Sequence, residues 1–166
     1  MIVVHPYGNM LCMCYATGQE ILDALELGSM NTQAISSQDG KAVGESGGFL
    51  QVSGLKYTID TSIPSSVVRD SDGLFVEVAG ERRVKDVYVL KNGEWVALDP
   101  NATYTLACHN YKLQDMGDGY TMFVDNTYIL DKVMLDNQVI INYIVNDLGG
   151  NVGEEYAKPQ GRITVI

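Results

Sequence analysis

The first third of the chain has the apolar pattern of a buried strand followed by an amphipathic helix. Residues 9–15 form a mostly apolar run of strand length. Thr17 and Glu20 then make a capping-box pattern, in which a hydroxyl precedes a carboxylate by three residues. Apolar residues at helical spacing follow, which predicts a helix that ends near Gly28. Residues 31–48 are rich in Ser, Gln, Gly and Asn and predict a surface loop.

Further strands are indicated by alternating apolar and polar residues. The longest alternation covers residues 50–60 and is interrupted by Gly54. A glycine inside a strand pattern indicates a bulge or a close approach of the backbone. Shorter strand patterns occur at residues 104–108 and 163–166.

A hairpin and a late helix complete the pattern. Residues 84–90 and 95–98 have strand character and flank Asn92-Gly93, a pair typical of a two-residue hairpin turn. Residues 137–148 predict a helix with its apolar side chains on one side, ended by the two glycines that follow. The predicted fold class is therefore α+β, a mixed sheet with flanking helices in a single domain over residues 1–166.

Composition is ordinary for a soluble globular domain, with 166 residues, 46% hydrophobic and 19% charged. No apolar run reaches the roughly 20 residues needed to cross a bilayer, so we predict no membrane span. The first residues do not form a signal-peptide pattern, because polar and turn residues interrupt them. A net charge of −10 argues against a nucleic-acid partner but leaves a small phosphate compound open.

The cysteines favour a structural role. Cys12 and Cys14 would point to the same face of the first strand, as buried thiols do, and Cys108 lies far along the chain. With two histidines in the sequence, no compact zinc cluster is recognisable, and we predict no metal site in this chain.

The densest loop signal is residues 110–120, which follow a predicted strand. Gly117 and Gly119 permit positive φ and close approach of a ligand, and Asp118 between them could accept hydrogen bonds from a sugar diol. Tyr111 and Tyr120 offer flat faces. The alternative is a polar turn with two tyrosines packed at its base, and these residues alone favour that alternative.

A second candidate is the turn Pro6-Tyr7-Gly8-Asn9. An amide can bond both the donor and the acceptor edges of a nucleobase, and a ring can stack on its face. Taken alone, such a sequence is more often an ordinary turn.

The third candidate is the glycine step at Ser46-Gly47-Gly48, which lacks the spacing of a phosphate-binding P-loop. The sequence also lacks a Gly-x-Ser-x-Gly elbow and a His-Glu-x-x-His helix, and we predict no catalytic residue in it. Arg82-Arg83 is expected to face water in a hairpin region.

Taken in order, these segments resemble the C-terminal, substrate-binding domain of the 5'-nucleotidase / UDP-sugar hydrolase family. The matching motifs are His5-Pro6-Tyr7-Gly8-Asn9, Thr17-Gly18 with its helix, residues 49–55 (FLQVSGL), Tyr104-Thr105-Leu106, Asn110-Tyr111, Gly117-Asp118-Gly119-Tyr120 and Gly161-Arg162-Ile163. Each motif is weak by itself, but their order along nearly the whole chain is specific.

The resemblance implies a role for each site residue. Tyr7 and Tyr111 would sandwich a nucleobase, and Asn9 would contact the edge of the base. Asp118 would bind the ribose hydroxyls, and Gly47 would approach the base by its backbone. These assignments make a substrate-binding site without a catalytic or metal-binding residue.

The resemblance also implies a larger enzyme that hydrolyses nucleoside 5'-monophosphates to nucleoside and phosphate. In that family an N-terminal metallophosphoesterase domain in the same chain holds two divalent metal ions, such as Zn or Mn, and does the chemistry. This chain has no cofactor of its own and is expected to be inactive alone. Such enzymes act outside the cytoplasm, so an extracellular, cell-surface or periplasmic location is implied.

Departures from the family pattern leave alternatives open. The loop at 110–119 is one residue longer than usual, and Met116 replaces a glycine. An upstream Asn-x-Gly-Gly-x-Arg motif, whose arginine holds phosphate, is absent, so we expect the domain's first segment to be missing. The alternatives are a non-catalytic interaction module with the same fold and a domain of a sibling phosphoesterase acting on a cyclic nucleotide or a UDP-sugar.

Overall fold

A computed structural model describes residues 5–33 and 47–166 of the chain. Its elements in chain order are β1 (Leu11–Thr17), α1 (Gly18–Ser29), β2 (Leu55–Ile59), β3 (Val67–Arg69), β4 (Phe75–Val78), β5 (Val84–Lys91), β6 (Glu94–Ala97), β7 (Thr103–His109), α2 (Asn110–Leu113), β8 (Tyr128–Leu130), α3 (Asp136–Asn142) and β9 (Ile163–Val165). The predicted α+β class is confirmed. Most of the predicted loop at 31–48, including Ser46 of the glycine step, lies outside the described residues.

The strands form separate sheets rather than one. One sheet has the order β7-β1-β8, a second has the order β6-β5-β2-β9, and β3 pairs with β4. All pairings are antiparallel except that of β2 with β9, which is parallel. The β1–β7 ladder is regular from Leu11↔His109 to Thr17↔Thr103, so the ends of these two strands stay in register.

Helix α1 begins with the capping box that the sequence predicts. The Thr17 hydroxyl accepts a hydrogen bond from the backbone N–H of Glu20 at 3.2 Å, and the Glu20 carboxylate accepts one from the Thr17 N–H at 2.8 Å. These bonds satisfy two donors that a helix start otherwise leaves unpaired.

Replacing Thr17 with alanine should therefore lower the free energy of unfolding by about 1 kcal/mol, the usual cost of losing a hydroxyl cap. Urea unfolding followed by circular dichroism measures this difference. Replacing Thr17 with serine keeps the acceptor and serves as the control. An unchanged unfolding midpoint in the alanine variant would show that the cap contributes nothing to stability.

The predicted hairpin is confirmed, whereas the predicted strand at 50–60 is shorter than expected. Asn92 and Gly93 have φ of +52° and +84°, as a type I′ turn requires. Strand β2 begins after Gly54, which has φ of +69°. The irregularity in its pairing with β5 lies between Lys56 and Thr58, beyond the glycine.

The late helix is present but is not packed as its apolar pattern suggests. Helix α3 continues into a π-helical turn over Tyr143–Asp147, and the two glycines that follow have positive φ. No residue of either segment is buried among the described residues, and Val145 is 57% exposed.

The core lies where α1 and β1 meet the second sheet. Cys12 and Cys14 are both fully buried and lie on one face of β1, as predicted. Burial raises the pKa of the Cys14 thiol to about 11, so this thiol stays protonated at neutral pH. Ile59 and Leu25 belong to the same core.

The prediction that Arg82-Arg83 faces water is wrong. Arg83 is 4% exposed, and its Nη1 donates hydrogen bonds to the carbonyls of Ser29 at 3.1 Å and Met30 at 3.2 Å. These carbonyls belong to the C-terminal end of α1, where a cation is favourable. Arg82 forms an ion pair with Asp23 on the same helix. The arginine pair thus fastens β5 to α1.

Candidate functional site

The first turn and the loop after β7 meet because β1 and β7 are neighbours. The backbone N–H of Met10 donates to the side-chain oxygen of Asn110 at 2.6 Å, and the Asn110 N–H donates back to the Met10 carbonyl at 2.8 Å. This reciprocal pair extends the ladder by one step beyond Leu11↔His109. It places Asn9 and Tyr111, which are far apart in sequence, at one end of the sheet.

The loop at 114–119 has an unusual backbone. Met116 and Asp118 have φ of +53° and +54°, in the left-handed region, and Gly119 has φ of +90°. A β-carbon at Gly117 would overlap the ring of Tyr111, and one at Gly119 would lie 2.5 Å from the Gly73 carbonyl oxygen. Glycine is thus required at Gly117 for close approach to the ring and at Gly119 for both backbone and space.

The two tyrosines of this loop have different environments. Tyr120 is 1% exposed and donates a hydrogen bond to the Gly48 carbonyl at 2.6 Å, and burial raises the pKa of its hydroxyl. Tyr111 is 40% exposed, and its hydroxyl lies 3.4 Å from Oδ1 of Asp118. The loop therefore combines both interpretations of the sequence, with one tyrosine packed at its base and the other facing outward.

The five predicted site residues line one cavity of about 540 Å³. The complete lining is Tyr7, Asn9, Gly47, His109, Tyr111, Lys112 and Asp118. These residues come from the first turn, from the segment before β2, and from the end of β7 with its loop. The structure thus brings together every candidate position that the sequence singled out as a binding residue.

The aromatic faces in this cavity are accessible. Tyr7 is 86% exposed, so most of its side-chain surface is free of protein contact. In the described part of the chain, the ring closest to Tyr111 is that of His109, with centroids 6.1 Å apart and planes tilted by 33°. A planar ligand would therefore find open ring surface on Tyr7 and Tyr111.

Sequence reasoning missed two lining residues, His109 and Lys112. The Lys112 side chain is 7% exposed, and its ammonium pairs with Oδ2 of Asp118. Burial lowers the pKa of the His109 imidazole, and the charge of Lys112 lowers it further, so this imidazole is neutral at neutral pH. No signal in the sequence separates Lys112 from the exposed lysines, because its burial depends on the fold.

A second cavity, of about 590 Å³, is also lined by Asp118. It shares Gly47, Tyr111 and Asp118 with the first cavity and extends to Arg69 and Gly73. Asp118 therefore lines two open spaces, and one of its carboxylate oxygens is held by Lys112.

Residues 5–33 and 47–166 contain no group of three or more His, Cys, Asp and Glu side chains that could hold a metal ion. Within the same residues, no helix is long and apolar enough to cross a membrane.

Comparison with known proteins finds relatives that belong to nucleotide-hydrolysing families. A family model described as 5'-nucleotidase, C-terminal domain, matches residues 1–125. The trifunctional nucleotide phosphoesterase protein YfkN of Bacillus subtilis (strain 168) is 28% identical over 163 residues, which are 98% of this chain and 9% of that protein.

Solved structures show the same fold in larger proteins. The 5'-nucleotidase precursor from Thermus thermophilus aligns with a TM-score of 0.71 and 29% identity, over 97% of this chain and 26% of that one. The NAD nucleotidase (NadN) of Haemophilus influenzae aligns with a TM-score of 0.66 and 18% identity, over 99% of this chain and 26% of that one. The chain thus spans about a quarter of the solved relatives and less of the curated one.

Proposed function

This chain belongs to the 5'-nucleotidase C-terminal domain family, and from that premise we propose that it binds the base and ribose of a nucleoside 5'-monophosphate for a 5'-nucleotidase-type hydrolase. The observation that carries the proposal is the shared cavity. Two accessible aromatic rings, an amide, a backbone glycine and a carboxylate converge on it from three separate segments. Such a set matches the chemistry of a nucleoside, which has a flat base, polar edges and a vicinal diol.

Each side chain has a stated task in this proposal. Tyr7 and Tyr111 stack on the base, and stacking contributes roughly 1–3 kcal/mol per base with little dependence on which base it is. Asn9 reads an edge of the base, and Gly47 offers its backbone there. Asp118 accepts hydrogen bonds from the ribose hydroxyls through Oδ1, which does not pair with Lys112 and lies 3.4 Å from the Tyr111 hydroxyl.

We propose that hydrolysis takes place on another domain of a longer protein. A metallophosphoesterase domain in the same chain would hold two divalent metals, and those metals would supply the polarisation of the phosphoryl group. The Thermus relative is a precursor, which supports an exported protein, and we propose an extracellular, cell-surface or periplasmic location.

Adenosine should bind the purified chain with a dissociation constant of about 1 mM or below, without added metal, as isothermal titration calorimetry would measure. A variant that removes both ring faces, Tyr7→Ala with Tyr111→Ala, should abolish the signal because stacking supplies most of the affinity. Absence of saturable binding in the wild-type chain at millimolar adenosine would contradict the proposal and favour a non-catalytic interaction module.

The same chain should release no phosphate from AMP, with or without added zinc or manganese. Its described residues contain no cluster that could hold the metals. A malachite-green assay on the purified chain measures this directly. Metal-dependent phosphate release above the rate of a buffer blank would show that the chain carries a catalytic site of its own.

A further inference from the structure

Lys112 is the buried cation of the cavity, and the proposed function gives it no task. Its ammonium pairs with Oδ2 of Asp118, and 7% of its side chain is exposed. The same ammonium lies 4.5 Å from the centroid of the Tyr120 ring and 5.6 Å from that of Tyr111. Both distances are within the roughly 6 Å over which a cation is attracted to a ring face. Lys112 is therefore held in one place by a carboxylate and two rings.

Asp118 is the more exposed member of this pair. Its backbone lies in the left-handed region with φ of +54°, between Gly117 and Gly119, and its side chain is 36% exposed and lines both cavities. A partly exposed carboxylate keeps rotational freedom about its side-chain bonds unless a partner holds it. The bond from Lys112 fixes one oxygen, so the other, Oδ1, faces Tyr111.

We propose that Lys112 is a positioning residue that orients the Asp118 carboxylate to recognise a vicinal diol, so that the chain discriminates ribonucleosides from nucleosides without the 2′ and 3′ hydroxyls. This proposal rests on the proposed function, because it assigns the ribose to Asp118. Lys112 does not touch the ligand in this scheme. It reduces the freedom that Asp118 would lose on binding, which is the usual source of gain from preorganisation.

The test compares adenosine with 2′,3′-dideoxyadenosine by calorimetry. The wild-type chain should bind adenosine about tenfold more tightly or better, since the carboxylate loses its partner when the diol is absent. Lys112→Met keeps an unbranched side chain that is one heavy atom shorter and removes the charge, and should reduce this preference to about threefold or less while leaving dideoxyadenosine binding nearly unchanged. Lys85→Met, which removes an exposed lysine paired with Glu81 and outside the cavity lining, should keep the wild-type preference.

The outcomes separate the two proposals. If the wild-type chain binds neither nucleoside, the proposed function fails. If it binds both and Lys112→Met keeps the full preference, or weakens both ligands equally, the positioning role fails and Lys112 supports the loop only structurally.

A measurement on the wild-type chain covers the case in which Lys112→Met does not fold. With ¹⁵N-labelled lysine, the ammonium resonance of Lys112 should shift clearly more on saturation with adenosine than with dideoxyadenosine, because both carry the base and only adenosine carries the diol. Equal shifts with both nucleosides, or no shift with adenosine at saturation, would overturn the assignment.

Discussion

Replacing Glu26 with alanine should lower the free energy of unfolding by about 3–5 kcal/mol, the largest loss of stability we expect from a single truncation. Glu26 is 0% exposed on α1, and its Oε1 accepts a hydrogen bond from the backbone N–H of Val84 at 2.8 Å. The alanine variant leaves that N–H unpaired in the core. It also removes a carboxyl group that interacts with the charge of the buried Arg83 guanidinium.

Urea unfolding at fixed pH measures this loss. The matched control is Glu81→Ala, which removes an exposed glutamate paired with Lys85 on the surface and should cost less than about 1 kcal/mol. If both alanine variants unfold at the same urea concentration, the Glu26 contact contributes no more than a surface ion pair.

The difference in free energy of unfolding between the wild-type chain and Glu26→Ala should decrease as the pH rises. Burial raises the pKa of the Glu26 carboxyl above 4.5, against the opposing effect of hydrogen bonds from the backbones of Val84 and Arg83 and of the charges of Arg82 and Arg83. A carboxyl with a raised folded-state pKa contributes most stability below its unfolded pKa and loses that contribution as pH rises through the folded value. The stability difference between wild type and Glu26→Ala should therefore be largest below pH 4.5 and shrink as the pH rises above that value. If this stability difference instead increased with pH, the folded protein would stabilise the ionised carboxylate of Glu26, and the prediction would be wrong.

Replacing Gly117 with alanine should weaken adenosine binding by about 5- to 150-fold, which corresponds to the loss of roughly 1–3 kcal/mol of stacking on one ring. The added β-carbon would overlap three atoms of the Tyr111 ring, closer than any carbon contact permits. Gly117 is not among the residues with positive φ, so alanine causes no backbone strain there. The ring must therefore leave its position facing the cavity.

Calorimetry on the folded variant measures the weakening, with circular dichroism to establish the fold. Gly80→Ala is the matched control, because its β-carbon would meet Ser66 at 3.1 Å and the residue lines neither cavity at Asp118. We expect its affinity to remain within about twofold of wild type. Unchanged binding by the Gly117 variant would mean that Tyr111 does not stack on the base, whatever else the cavity binds.

The sequence was sufficient to predict those elements whose structure is set by residues close to each other along the chain. The capping box at Thr17 and the Asn92-Gly93 hairpin were predictable because each is set by residues within one turn of chain. The buried pair Cys12 and Cys14 followed from the alternation of a strand. The position of the late helix was predictable from its apolar pattern, but its lack of burial was not. Such a pattern shows which side of a helix another element could cover, but it does not show whether that element is present.

Long-range contacts account for the parts that the sequence did not reveal. Arg83 was expected in water, since the residues around it form strand and turn patterns and give no sign that the end of α1 lies against it. Lys112 was missed for a similar reason, because its burial depends on Asp118, Tyr111 and Tyr120 folding around it.

The sequence by itself determined the α+β class, through its apolar pattern, and the family resemblance, through the order of motifs that are each weak alone; that resemblance in turn indicated the candidate binding residues. Only the tertiary structure decided that Tyr7, Asn9, Gly47, Tyr111 and Asp118 share one cavity. The pairing of β1 with β7 closes the distance between the first turn and the Gly-Asp-Gly loop, and within that loop the buried charge of Lys112 pairs with Asp118. Such proximity depends on strand order and packing, which act between residues about a hundred positions apart and leave no local trace in the sequence.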